Sequence, residues 1–303
     1  MKFSKFFKPS MMASAAIILL AVVLTLCGRG MNLGLDFTGG LSMPYSLGQS
    51  AAQPDVAALL GADYSVTIQG ADKSEVLVRI KSVGEADVQD VQAAVTAKLQ
   101  SAYPNAQPAG DVSYVGPVAG ATLIRNAVSS VAIASVLMLV YIAFRFDFHS
   151  GLAAVLALMH DVAVMLAFMV ILRDFIEMNS SFIAAALTIV GYSINDTIVI
   201  FDRIRENAKI KPELTKVEQV DLSVRESLGR TIMTSVTTLV TILLLYILGV
   251  AAIKEFALPI LVGVLAGTYS SNLISGYIWA WLEVKFPKKE KFDDDEDDED
   301  DDE

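Results

Sequence analysis

Long apolar segments, separated by shorter polar ones, dominate the chain. Six of them reach the roughly 20 residues that a helix needs to cross the hydrocarbon core of a bilayer. Backbone N–H and C=O groups find no water there, so each segment is predicted to be a helix that satisfies them internally. The six segments lie near residues 10–27, 123–144, 151–172, 181–201, 232–250 and 256–281. The pattern predicts a polytopic α-helical membrane protein.

A different pattern fills residues 28–121, between the first two apolar segments. Apolar and polar residues alternate over 75–81, as in a half-buried strand, and the apolar positions of 85–102 share one helix face. The predicted elements are strands at 37–47, 64–69, 75–81 and 111–118 and helices at 54–60 and 85–102. Their order, βαββαβ, is that of a small ferredoxin-like domain. Pro44 lacks an N–H, so we expect the first strand to lie at a sheet edge or to contain a bulge.

The distribution of lysine and arginine predicts the orientation of the helices. Three lysines precede the first segment, seven Lys or Arg residues lie in a loop over 202–230, and four lysines follow the sixth segment. The two short connections on the opposite side carry only Arg173 and Lys254. We therefore expect both termini and the loop to be cytoplasmic, and residues 28–121 to form an extracytoplasmic domain. The first segment, residues 1–27 with its lysines, is expected to remain as an uncleaved anchor, because its apolar core is long.

Charge and composition exclude several functions. The net charge is −11, but residues 293–303 are eleven consecutive acids, and the 23 acids elsewhere equal the 23 Lys and Arg. The excess therefore belongs to a cytoplasmic tail over 285–303, predicted to be disordered because its like charges repel. No surface for nucleic acid is indicated. The single Cys27 allows no internal disulfide, and two histidines exclude a His-rich metal site. With no ATP-binding loop or hydrolytic constellation visible, we expect a protein that is not an enzyme and binds no cofactor.

One carboxylate lies inside the fourth apolar segment. Asp196 interrupts a run that is otherwise apolar or mildly polar, where an acid costs roughly 2.5–3.5 kcal/mol to insert. If Arg230 begins the next membrane helix, its side chain can span much of the roughly 9 Å that separates the two residues in depth. The polar residues that recur at helical spacing are Thr188, Tyr192, Asn195 and Asp196 on the fourth segment and Arg230, Thr234, Thr238 and Thr241 on the fifth.

These two stripes allow two hypotheses. In the first, ionised Asp196 pairs with Arg230, and protonation removes the attraction and lets the helices re-pack. In the second, the residues form a static buried ion pair or interhelical hydrogen bonds. Asp161, beside His160 near the middle of the third segment, either extends a proton path or bonds a neighbouring helix. The sixth segment carries small residues at four-residue spacing, Gly263, Gly267 and Ser271, which predict close helix packing.

Several motifs, in order along the chain, resemble the SecF branch of the SecD/SecF family of protein-export membrane proteins. The block Gly34-Leu-Asp-Phe-Thr-Gly-Gly40 contains Gly34, Asp36, Gly39 and Gly40 and follows the first predicted helix. The block over 191–207, with Ser-Ile-Asn-Asp ending at Asp196, is the most specific. Further blocks lie at 115–117, 141–147, 230–238 and 267–271. Together they cover nearly the whole chain.

The resemblance implies a function in protein export across the bacterial cytoplasmic (inner) membrane. It implies SecD as a similar six-helix partner, with which the chain forms a pseudo-symmetric unit of the resistance-nodulation-division superfamily. It also implies work with the SecYEG channel and the SecA motor on translocating preproteins, driven by a gradient of H⁺ or Na⁺. In that family the acid and the arginine at the positions of Asp196 and Arg230 belong to the ion pathway, with Asn195 and Thr234 in the same blocks.

Two other functions remain open from the residues alone. The chain could form half of a small-molecule or lipid exporter of the same superfamily, although an outer domain of under 100 residues is small for a substrate channel. It could also be a passive scaffold that assembles other membrane subunits. Replacing Asp196 by Asn would then be nearly silent, because Asn keeps the volume and the hydrogen-bonding capacity.

Overall fold

The structure, a computed structural model, describes residues 2–69, 72–81, 84 and 87–287. Most of the predicted tail over 285–303 therefore lies outside the described residues. In chain order the elements are α1 (Ser4–Leu26), α2 (Leu35–Thr38), β1 (Gly40–Ser46), α3 (Gln53–Leu60), β2 (Tyr64–Gln69), β3 (Glu75–Lys81), α4 (Val88–Ala102), β4 (Gln107–Pro108), β5 (Ser113–Val115), α5 (Pro117–Arg145), α6 (Phe148–Ile171), α7 (Ser180–Ile210), α8 (Lys216–Leu248), α9 (Ala251–Ser270), a π-helical turn (Ser271–Ser275) and α10 (Gly276–Lys285).

The α/β domain, residues 35–115, is an antiparallel sheet with the short helix α2 and two longer helices, α3 and α4. Its strand order is β2-β3-β1-β4, with β5 also paired to β1. This is the order of the ferredoxin-like arrangement, so the predicted βαββαβ fold is confirmed. Inward-facing residues of the sheet pack against α3 and α4. The fully buried members of this core include Leu41, Met43, Val56, Val78, Val95 and Leu99.

The first strand corrects the expectation drawn from Pro44. β1 is a central strand, paired on one side with β3 and on the other with β4 and β5. Pro44 lies opposite Leu77 of β3, and its carbonyl accepts a hydrogen bond from Ala109 at 3.0 Å. The proline is tolerated because the neighbouring edge strand is divided into β4 and β5 at this point. The interruption lies between β4 and β5, and β1 itself is continuous.

Six helices among the described residues are long and apolar enough to cross a membrane. They correspond to the six predicted segments, with α9, the π-helical turn and α10 forming one span. α7 lies at the centre of the bundle and packs against α5, α6, α8 and α9, while α1 packs against α6. The most apolar windows of α5 and α8 are only 11% buried, so their apolar side chains face the surroundings of the chain. Such a surface is typical of a protein embedded in lipid or joined to another membrane subunit.

The connection after α7 differs from the prediction. A loop was expected over 202–230, but α7 continues to Ile210 and α8 begins at Lys216. A capping box fixes the start of α8: Thr215 Oγ1 accepts from the Glu218 N–H, and Glu218 accepts from the Thr215 N–H. The prediction was wrong because charge marks the edge of the hydrocarbon core and not the end of a helix. Arg230 therefore lies well inside α8 and does not begin it.

Candidate functional site

Asp196 lies on the buried face of α7. Its side chain is 2% exposed, and Ser193 and Thr197 beside it are also buried. Oδ2 of Asp196 is buried and has no hydrogen-bond partner among the described residues. A buried carboxylate oxygen without a partner is costly, because the desolvation of the group is not repaid. The structure therefore places an unsatisfied acceptor inside the membrane-spanning bundle.

Two polar side chains of α8 influence the charge of the Asp196 carboxyl group. The Ser235 hydroxyl stabilises the charged carboxyl group by hydrogen bonding, and the Arg230 guanidinium stabilises it by its charge. However, no ion pair within 4.0 Å joins Asp196 and Arg230 among the residues that the structure describes. Arg230 is exposed, whereas Thr231 and Ser235 form the buried face of α8. The direct contact hypothesised from the sequence is not made, because Arg230 lies one helical position away from the buried face.

Apart from Asp196, the residues of the two predicted polar stripes are exposed or only half-buried. On α7, Thr188 and Asn195 are exposed, and on α8 Thr234 is half-buried. The Thr234 hydroxyl donates to the carbonyl of Arg230 at 2.9 Å, so its polar group is satisfied within α8. Asp196 and Tyr192 lie at the edge of the stripe that turns inward, and the Tyr192 hydroxyl donates to Ser235 Oγ at 3.2 Å. The chain alone thus presents a polar face beside a buried acid.

Asp161 belongs to a second buried polar cluster. It is fully buried on α6, and its Oδ2 accepts from Ser193 Oγ of α7 at 2.5 Å. His160 Nδ1 lies 3.0 Å from Asp161 Oδ1, and the His160 ring contacts the Tyr269 ring of α9 at 5.8 Å between centroids. The Tyr269 hydroxyl reaches Ser10 and Ser14 of α1. Asp161 therefore bonds a neighbouring helix, and no described hydrogen bond connects it to Asp196.

Ser193 and Tyr269 were not predicted as site residues. Their signal was present in the sequence, because Ser193 lies three positions from Asp196 and Tyr269 flanks Gly267 on a helix of small residues. The small ridge brings α9 onto α7. A Cβ atom at Gly263 would lie 2.4 Å from Ile189 Cγ1, and one at Gly267 would lie 3.0 Å from Ser193 Cβ. Ser271 is fully buried, and its hydroxyl is 2.9 Å from Thr197 Oγ1.

The Gly34–Gly40 block joins the α/β domain to the start of α7. The Gly34 N–H donates to the Met178 carbonyl at 2.7 Å, and Asp36 Oδ2 accepts from the Ser180 N–H, the first residue of α7, at 2.8 Å. Gly39 has φ +71° and Gly40 has φ +142°. A Cβ at Gly40 would lie 2.2 Å from the Ile80 carbonyl oxygen, so a side chain does not fit there.

An ion pair reinforces this junction. Arg79 of β3 donates to Glu177, two residues before Asn179 caps α7, at 2.5 Å. The two side chains are 20% and 13% exposed, so the pair is largely shielded from water. Lys81 lies 4.0 Å from the same carboxylate. The helix that carries Asp196 is therefore connected at its start to the α/β domain by backbone and side-chain bonds.

One group of side chains among the described residues has the spacing of metal ligands. Asp147, His149 and Glu283 can bring one atom each to within 4.8 Å of one another. Local interactions account for this arrangement. Asp147 caps α6 by accepting from the Ser150 N–H at 2.8 Å, and His149 Nδ1 lies 2.8 Å from Glu283 Oε1. We assign no metal there.

The fold and these sites define a class of protein: a polytopic membrane protein with buried carboxylates in its spans and a small α/β domain attached to one of them. The family model described as protein export membrane protein SecD/SecF, C-terminal, matches residues 94–285, and the SecD/SecF GG motif matches residues 25–43. The protein translocase subunit SecF of Rhodothermus marinus is 36% identical over 277 residues, with 88% of each chain covered. The chain belongs to the SecD/SecF protein-export family.

Two further comparisons extend this result. The SecF subunit of Rickettsia felis is 37% identical over 262 residues, covering 85% of this chain and 84% of the relative. The SecDF subunit of Thermus thermophilus is 37% identical over 293 residues, covering 91% of this chain but 38% of that longer protein. A crystal structure of Thermus SecDF matches with a TM-score of 0.73, 36% identity, and 91% and 38% coverage. The chain is thus a multi-pass membrane protein related to protein translocase subunits, with a function in protein export.

Proposed function

We propose that this chain is an ion-driven accessory subunit of the Sec translocase, which uses a gradient of H⁺ or Na⁺ to assist translocation and release of preproteins. The observation that carries the proposal is the Asp196 carboxylate, buried on α7 with one oxygen unpartnered among the described residues. Ionisable residues inside membrane spans are costly to insert, and they usually mark ion pathways, proton relays or other functional sites. Binding of a proton or a sodium ion neutralises this charge.

The neutralisation acts on helix packing. While Asp196 is charged, it favours conformations that bring Arg230 and the hydroxyl of Ser235 towards it. Once it is neutral, that preference is lost, and α7 and α8 can adopt another arrangement. Because α7 is bonded at its start to the α/β domain through Asp36 and Glu177, a shift of α7 moves that domain. A charge change inside the membrane is thereby converted into movement at its surface.

The exposed polar side chains of α7 and α8 support the existence of a second membrane subunit that covers them. Asn195 and Arg230 lie at membrane depth on α7 and α8 without cover from this chain. Polar groups facing lipid are costly, so a second membrane subunit is expected to cover them. The Thermus relative carries SecD and SecF in one name and one chain, which supports SecD as that subunit. Membership of the same family supports SecYEG, SecA and the preprotein as the remaining partners.

Orientation completes the proposal. The lysine and arginine residues at the α7–α8 connection and beyond α10 favour a cytoplasmic location for that end of the bundle. The α/β domain then lies on the outer side of the bacterial inner membrane, where a preprotein emerges. With under 100 residues it is a lever or a binding module and is too small to enclose a substrate channel, which disfavours the small-molecule exporter.

An export assay distinguishes this function from a passive scaffold. We expect Asp196→Asn to leave assembly with the partner intact and to abolish the gradient-dependent part of preprotein export. The matched control is Asp202→Asn, on the same helix. The Asp202 side chain is 63% exposed, and its Oδ1 lies 3.8 Å from Nη2 of the exposed Arg145. Export at the wild-type rate by an assembled Asp196→Asn complex contradicts the proposal.

A further inference from the structure

A cavity of about 270 Å³ lies at the end of the bundle away from the α/β domain. It is bordered by the turn between α5 and α6, the last turns of α7, the start of α8, and α10. Three cationic side chains line it: Arg205, Lys209 and Lys216. Its volume is a little below that of pockets for whole small molecules, about 300–1,000 Å³, and is suited to a compact charged group.

The depth of the cavity is set by α7. Ser180, at the start of α7, is bonded to the α/β domain, and Arg205 lies 25 residues further along the same helix. At 1.5 Å per residue this is about 38 Å. The hydrocarbon core of a bilayer is about 30 Å thick. Arg205 and its neighbours therefore lie beyond the hydrocarbon core, at the level of the lipid headgroups.

Trp279 supplies a second, independent observation at this cavity. Its side chain is 5% exposed and lines the cavity. The indole Nε1 is buried and has no hydrogen-bond partner in the described part of the chain. This group can only donate, and buried Trp N–H groups usually find an acceptor. Lys216 Nζ lies 5.7 Å from the centre of the same ring, so an acceptor at the indole also meets a positive charge.

The carboxylates on the cavity wall are occupied by other bonds. Asp147 accepts from the Ser150 N–H and from Ser150 Oγ, both at 2.8 Å. Glu283 lies 2.8 Å from His149 Nδ1. Both acids line the cavity and also bond to residues of α6. Arg205 uses Nη1 to donate to the Arg145 carbonyl at 3.3 Å, and as a guanidinium it retains further N–H groups.

We propose that this cavity binds the phosphate of an anionic phospholipid headgroup, with Lys209, Lys216 and Arg205 supplying charge and the Trp279 indole N–H supplying a directed hydrogen bond. A phosphate oxygen satisfies the buried donor, and its charge matches the excess of cations. Basic pockets between membrane helices at the headgroup level are typical sites for anionic lipids. The exposed apolar surfaces of the surrounding helices accommodate the acyl chains.

The test measures lipid retention by the full chain. Native mass spectrometry of the purified chain is carried out with phosphatidylglycerol, with phosphatidylcholine, and with inorganic phosphate as a competitor. We expect one phosphatidylglycerol to be retained in preference to phosphatidylcholine. Lys209→Gln combined with Lys216→Gln should weaken retention about 25-fold, at about 1 kcal/mol for each cation. Trp279→Phe keeps the ring, removes the N–H donor, and should weaken retention about tenfold.

Matched controls lie on the neighbouring turn. Trp281 is exposed and Lys285 Nζ lies 4.6 Å from its ring centre, yet neither lines the cavity. Trp281→Phe and Lys285→Gln should therefore leave retention unchanged. Equal retention in the cavity and control variants overturns the proposal, as does displacement by phosphate alone at the concentration at which the lipid binds.

One further arm addresses the acidic run at 293–303, whose charge also complements the cavity. If phosphatidylglycerol is retained only after these eleven residues are deleted, the run and not a lipid occupies the site in the full chain, and the proposal is wrong. Retention that is the same with and without the run supports the lipid. Protein export does not enter any of these measurements, so the outcome is independent of the ion-driven function proposed above.

Discussion

The Arg79–Glu177 pair gives a quantitative prediction about how the α/β domain is held to α7. Exposed ion pairs contribute about 0.2–1 kcal/mol, and removing one partner of a fully buried pair costs about 3–5 kcal/mol. With side chains 20% and 13% exposed, this pair lies between those limits. We expect Arg79→Met or Glu177→Gln to lower the free energy of opening at the junction by about 1.5–3 kcal/mol. The second substitution in the double variant should add little, because the partner is already absent.

Amide hydrogen exchange measures this opening directly. The Gly34 N–H donates to Met178 and the Met178 N–H donates to Asn32, at 2.7 and 2.8 Å, so both are protected only while the junction is closed. A loss of about 1.5–3 kcal/mol accelerates their exchange about 10- to 150-fold. The control is Arg29–Asp174, a pair at the same end of the bundle with side chains 56% and 60% exposed. Its removal should change the rates less than about fivefold. Additive effects of the two junction substitutions, or equal effects of the control pair, would show that the Arg79–Glu177 pair does not hold the junction closed.

Four further outcomes are expected. Gly120→Ala places a Cβ 2.3 Å from the Phe37 carbonyl oxygen and should prevent correct assembly of the junction, whereas Gly229→Ala, with no atom within 4 Å, should leave thermal stability equal or slightly raised. Ser193→Ala removes the donor to the buried Asp161 and should lower the free energy of unfolding by about 1–3 kcal/mol. Thr188→Ala, on the exposed face of α7, should have little effect. Burial raises the pKa of Tyr45 above its ordinary value of 10.0. The contribution of its protonated phenol to stability is therefore present below pH 10.0 and is lost as the pH rises through the higher folded-state value. Tyr45→Phe should remove this loss, as measured by unfolding at alkaline pH. Deletion of residues 293–303 should leave assembly of the membrane helices unchanged, and loss of the assembled complex on gel filtration would show the opposite.

The large features of the fold follow from the sequence because they depend on length and period. Twenty apolar residues form a membrane helix wherever they occur, and the alternation at 75–81 gives β3 at the predicted bounds. The failures have one cause. Helix ends and the position of a strand in its sheet depend on tertiary partners, which are not visible in a local pattern. Most of the loop expected over 202–230 is helical, because water satisfies the charged side chains without ending the helix. Pro44 lies in a central strand because the neighbouring strand is interrupted.

The site shows the same division. Helical spacing predicts one polar stripe that contains both Asn195 and Asp196, but it does not tell which of the two side chains faces the interior of the bundle. The structure buries Asp196 and exposes Asn195. Arg230 could not be positioned from the sequence, since its direction depends on where α8 begins. The bond from Ser193 to Asp161 requires two helices far apart in sequence, and only the packing of α6, α7 and α9 reveals it.

Ion flux into sealed vesicles measures whether Asp196 is part of an ion pathway. Vesicles that contain this chain and its SecD partner are given an inward gradient of H⁺ or of Na⁺, and entry is followed with a dye specific for each ion. We expect flux of one of the two ions with the wild-type chain and with Asp202→Asn, and its loss with Asp196→Asn in a complex that remains assembled. Undiminished flux through the assembled Asp196→Asn complex would show that Asp196 is not part of the ion pathway.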